Sequence, residues 1–229
     1  MVYKIKKRLL LSNLILLFLF YLILVENPSY SNLVDSILGN IEFYSFFDRA
    51  KFFLPITLLL SITSDYLSFI LEKNFCTITT RFNSRKKLSI SIFKGLYFCV
   101  FMFWSIIMFL SVILSIYFKN NITDILSVNL LITFITGYFF YSMIVVIQML
   151  FSMFLGTNKS FIIVVAIAIM STLVTNNLIK YLLIVPIGMG LNKTSLAVDV
   201  VRTILVIIIT IISSMIIYKK IERFDIGVY

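Results

Sequence analysis

Histidine is absent from the 229-residue sequence, and cysteine occurs only twice, at Cys76 and Cys99. The first absence removes the commonest general base, proton shuttle and metal ligand. The second leaves no further cysteine pair to complete a zinc site. Intramembrane metalloproteases and His-ligated haem proteins are therefore excluded. Charge is scarce as well: 13% of residues are charged and 61% hydrophobic, where a soluble domain has about 25% and 45–50%. With a mean hydropathy of +1.07, the apolar excess cannot be hidden in a soluble core, so lipid must solvate it. A soluble enzyme, a secreted domain and a disordered chain are ruled out. Acidic residues are half as numerous as basic ones, 10 against 20, for a net charge of +10. On a soluble protein that excess would raise the question of nucleic acid; here the positions of the charges answer it.

A membrane-crossing helix needs about 20 mostly apolar residues, and six runs meet that description. The first, residues 9–25, follows Lys4, Lys6, Lys7 and Arg8. A cleaved signal peptide would start in the same way. No small-x-small site follows, however, because Glu26-Asn27-Pro28 comes next, so an uncleaved span is expected. The others are residues 52–71, 95–118, 127–155, 161–179 and 203–218. The whole chain, 1–229, reads as a single all-α, polytopic membrane domain.

With the N-terminus inside, 14 Lys and Arg fall on the cytoplasmic side and six outside. By the positive-inside rule both termini are cytoplasmic. Six acidic residues lie outside and three inside, with Asp65 in the membrane. The basicity is an orientation signal and needs no nucleic-acid partner. The protein is expected in the plasma membrane, and its origin is read as bacterial.

Two outer connections look structured. In the segment from 27 to 50, Leu33, Val34, Ile37 and Leu38 have the spacing of a short interfacial helix, stopped by Gly39-Asn40. Between 180 and 192, Pro186, Gly188 and Gly190 break a segment too short to cross. The inner loop 73–94 is denser in information. It holds Lys73, Arg81, Arg85, Lys86, Lys87 and Lys94, while Phe75, Ile78 and Phe82 make one apolar face on a helix of roughly 74–82. Asn83 or Ser84 can cap the helix that leads into the third span. Such a loop rests on anionic lipid or docks a cytoplasmic partner.

These features together resemble the membrane subunit of an ABC transporter of the ABC-2 export type. The likeness covers nearly the whole length: six spans, both ends inside, a long first outer loop and a broken outer segment before the last span. It is most specific after the second span, where Glu72, the helix 74–82, Ser84-Arg85 and Lys94 follow the family's order of acidic residue, coupling helix, Ser-Arg pair and lysine. The sequence departs from the pattern in a short lead before span one, in Cys76-Thr77 where a glycine is common, and in Asn83 where a proline is common. The resemblance implies that a separate cytoplasmic ABC ATPase carries ATP and Mg and grips the loop through Glu72, Phe75, Ile78, Arg81, Phe82, Arg85, Lys86 and Lys87. It also implies a second permease, identical or similar, to complete the pathway. No cofactor is expected in this chain itself. Its nearest approach to a P-loop, Gly188 to Thr194, lacks the glycine before Lys193 and falls outside the cell.

Asp65 is the only ionisable residue well inside a span, and Thr57, Ser61, Ser64, Ser68 and Glu72 share its side of the helix. A charge at the bilayer centre costs at least about 2.5–3.5 kcal/mol, so Asp65 should face protein or water. The stripe lines a translocation path, together with Asn176 on span five, or it packs helices through small hydroxyl residues. Thr136-Gly137, Gln148 and Ser152 on span four, and Trp104 within span three, read as packing. The expected function is a non-enzymatic permease moving an amphipathic or lipophilic cargo, a peptide or drug-like molecule, outward. The alternative is a non-transporting immunity or regulatory membrane protein that binds a partner.

Overall fold

A computed structural model of the chain describes helical positions 15, 16, 18, 19, 21 and 25, and residues 46–68, 70, 85–117, 128–173 and 196–223. Among the described residues the structure is all helix and turn, with five helices: α1 (Phe46–Leu67), α2 (Arg85–Tyr117), α3 (Val128–Leu155), α4 (Thr157–Leu173) and α5 (Leu196–Arg223). α1, α2, α3 and α5 each hold a stretch long and apolar enough to cross a membrane, and α4 holds a shorter one, Thr157–Met170. This is the arrangement of a multi-pass membrane protein. In the region of the first expected span, Leu16 and Leu19 are buried while Ile15, Phe18, Tyr21 and Val25 are exposed, so one helical face turns inward. The expected count of six spans, the helix at 74–82 and the break at 180–192 involve positions outside the described residues.

α3 is the central element. It packs against α1, α2, α4 and α5, and residues 140–149 are buried without interruption, as a helix surrounded by others must be. Phe52 meets Phe140 with ring centroids 6.3 Å apart, and Thr63 meets Gln148 further on. Both numbers rise together, so α1 and α3 run parallel. Tyr66, near the end of α1, presses on Gly95 early in α2, so α2 runs back. Lys220 reaches the Met153 carbonyl, placing the ends of α5 and α3 side by side.

Several helices begin before, or extend past, their apolar runs. α1 begins six residues before the run at 52, α4 four residues before 161, and α5 extends beyond 203–218 at both ends. Hydropathy marks where lipid begins, whereas a helix continues into water as long as its amides stay paired. α2 shows the effect most clearly. Its run starts at Gly95, but the helix starts at Arg85, directly after Ser84, and spans 33 residues. At 1.5 Å per residue that is about 50 Å, against a hydrocarbon core of about 30 Å.

α2 and α3 meet where the chain's single tryptophan fills a notch. Trp104 is buried and its indole N–H donates to the Phe134 carbonyl at 2.9 Å. A Cβ at Gly137 would overlap the indole ring, so only glycine leaves room for it. The Tyr141 ring, one turn further along α3, lies 5.2 Å from the indole between centroids. We therefore expect Gly137→Ala to destabilise the protein by roughly 1–3 kcal/mol through overpacking. The readouts are a lower melting temperature in detergent and a longer-wavelength Trp104 emission. If neither moves, the α2–α3 contact is not built on this notch.

Candidate functional site

Within lipid a polar side chain must find its partner in the protein, and one such partnership sits at the α1–α3 seam. Gln148 and Thr63 are both fully buried. The Thr63 hydroxyl donates to Gln148 Oε1 at 2.6 Å, and Gln148 Nε2 donates to the Leu60 carbonyl at 3.1 Å. Thr63 Oγ1 also lies 3.0 Å from the Leu59 carbonyl and 3.2 Å from that of Leu60. One turn beyond Gln148, the Ser152 hydroxyl donates back to the Gln148 carbonyl at 2.8 Å. The side-chain amide thus binds α1 through a side chain and a backbone group at once.

The polar stripe of α1 lies beside this seam. Ser61, Ser64, Asp65 and Ser68 are half-buried, as is Thr57, whose hydroxyl donates to the Leu54 carbonyl at 2.9 Å. The buried face of the same helix is Ile56, Leu59, Leu60, Thr63 and Leu67. The stripe therefore runs along the margin of the packed face and not through it. A second polar contact joins α2 to α5, where the Tyr97 and Ser214 hydroxyls are 3.1 Å apart.

Of the residues expected to meet an ATPase, Lys86 and Lys87 are exposed in the first turn of α2, which Arg85 opens. Glu72, Phe75, Ile78, Arg81 and Phe82 lie outside the described residues, and so does Asn176. Gln148 and Ser152 are in the packing role that their sequence pattern suggests. Thr63 was not singled out by the sequence, and no spacing would have revealed it: a threonine among leucines and isoleucines looks apolar until its partner 85 positions later is known. Among the described residues, no group of three or more His, Cys, Asp or Glu is placed to hold a metal ion.

No protein-family model, no curated protein and no solved structure matches the chain. The seam itself makes a measurable claim. Thr63→Val should cost about 1–2 kcal/mol, because it strands a buried amide oxygen. The double variant Thr63→Val/Gln148→Leu should cost less than the two single changes summed. Denaturant titration in mixed micelles measures all three, and strict additivity would show that the pair is not coupled.

Proposed function

We propose that this chain is the membrane subunit of an ATP-driven exporter of the ABC-2 type, working with a separate cytoplasmic ATPase. The observation that carries the reading is the continuity of α2. A helix that begins at Arg85, bears exposed Lys86 and Lys87, and runs unbroken to Tyr117 joins the basic inner loop mechanically to the middle of the bundle. The α2–α3 notch at Trp104 and the Tyr66–Gly95 contact tie that rod to α3 and α1. A push on the loop is thereby delivered to the helices as a tilt, which is how ATP-driven closure in a partner would reshape a pathway. The cargo suited to such apolar walls is amphipathic or lipophilic, a peptide or drug-like molecule. A second permease, identical or similar, supplies the other half of the path.

Two experiments bear on this. The tagged chain, purified from its own host, should bring down a Mg-dependent ATPase that carries a P-loop. Changing Phe75, Ile78 and Phe82 together to Ala should abolish that recovery while leaving the amount of chain in the membrane unchanged. If no ATPase accompanies the intact chain, the binding-protein reading, an immunity or regulatory subunit, replaces the transporter. Asp65→Asn, in turn, is expected to reduce efflux of an amphipathic fluorescent dye without altering assembly. Efflux at the parental rate would assign the α1 stripe to packing alone.

A further inference from the structure

Among the described residues two buried side-chain oxygens find no hydrogen-bond partner, and they sit on consecutive residues of α3, Tyr141 and Ser142. Inside a bilayer such a group is costly, because lipid offers it nothing to bond to. Tyr141 is enclosed by the rings of Phe103, Trp104 and Phe140. Ser142 has different surroundings. It shares an i, i+4 face of α3 with Tyr138, whose hydroxyl lies beside its own and which neighbours Tyr97 of α2. Tyr138 is only half-buried, so this flank of α3 opens toward the bundle surface.

α2 and α5 border that flank. Both pack on α3, and they meet each other where the Tyr97 and Ser214 hydroxyls are 3.1 Å apart. Phe101, one turn beyond Tyr97, stands edge-on to Tyr138 at 6.2 Å between centroids. The hydroxyls of Tyr97, Tyr138, Ser142 and Ser214, from three helices, therefore gather at one level. Toward the Arg85 end of α2, Lys94 is exposed three residues before Tyr97, about 4.5 Å along the axis. In the other direction Phe101 and, on α5, Ile211 are exposed and apolar. Cation, hydroxyls and apolar surface follow in the order of a phospholipid's parts: phosphate, ester carbonyls, acyl chains.

We propose that the furrow between α2 and α5, floored by Tyr138 and Ser142, binds a glycerophospholipid, with its phosphate on Lys94 and an ester carbonyl accepting from Ser142. The lysine attracts the phosphate at the membrane surface. The carbonyl supplies the acceptor that Ser142 lacks within the protein. Tyr97 and Ser214, already bonded to each other, hold the rim. Glu222, exposed two turns past Ser214, stands toward the same end as Lys94, so the phosphate and not the net charge of the headgroup is what the site reads. The proposal does not rest on the export reading, since a resident lipid and a transported cargo are separate ligands.

The test measures binding of the first lipid to the full chain by native mass spectrometry. The probes are dioleoyl phosphatidylglycerol and its ether-linked analogue, which has the same headgroup and chains but no ester carbonyl. The parental chain should bind the ester lipid roughly tenfold more tightly, the worth of one to two hydrogen bonds. Ser142→Ala should shrink that preference to within about twofold. Its melting temperature should stay parental, since the serine has no protein partner to lose. Lys94→Gln should weaken both lipids alike, by about fivefold. Equal parental binding of the two lipids, a Ser142→Ala variant that keeps the full preference, or a Lys94→Gln variant that binds both as the parent does, overturns the proposal. Should Ser142→Ala melt early, Tyr138→Phe decides: it keeps the ring beside Phe101, and it must reduce the ester preference or the proposal fails.

Discussion

Lipid gives two helices no hydrophobic reason to associate, because acyl chains are as apolar as leucine. What holds this bundle must therefore be closeness of fit and the few hydrogen bonds that cannot be made elsewhere. Both devices converge on α3. Gly137 lets an indole lie against the helix backbone, and Gln148 ties the same helix to α1 through two bonds. Gly95 repeats the first device between α1 and α2, admitting the Tyr66 ring. Each contact is available to one register only, so the close fits also determine which turns of the helices meet.

The polar content of the spans divides by role. Gln148, Thr63 and Ser152 are buried and bonded within the seam. Ser61, Ser64, Asp65 and Ser68 are neither buried nor fully exposed, and they occupy the edge of the face that packs. A helix carrying both sets presents a sealed side to its neighbours and a wettable margin beside it. That geometry keeps the packing energy separate from the polar margin.

Much of the architecture was legible in the sequence because lipid imposes a length and a composition on anything that crosses it. The end of α3 at Leu155 matches the run that ends at 155, and the start of α2 at Arg85 falls directly after the capping residues Asn83 and Ser84. The early starts of α1 and α4 were not legible, since a helix leaving the bilayer no longer needs apolar residues. Nor were the pairings. Thr63 with Gln148, Tyr97 with Ser214 and Lys220 with Met153 join residues 85, 117 and 67 positions apart. No local pattern encodes such distances. Trp104 was readable as a packing residue from its depth in the span, but its seat on Gly137 required the fold.

A single residue, Gly156, at a φ of 83°, stands between the end of α3 at Leu155 and the start of α4 at Thr157, and this tight corner bears on how the protein is made. Helices joined by a long loop can enter the bilayer one after another, each judged on its own apolarity. α3 and α4 have no such loop. The two must therefore be delivered to the membrane together, as one unit of biosynthesis. The strongly apolar α3 would then carry α4 in with it, and the order of insertion would be written into one glycine.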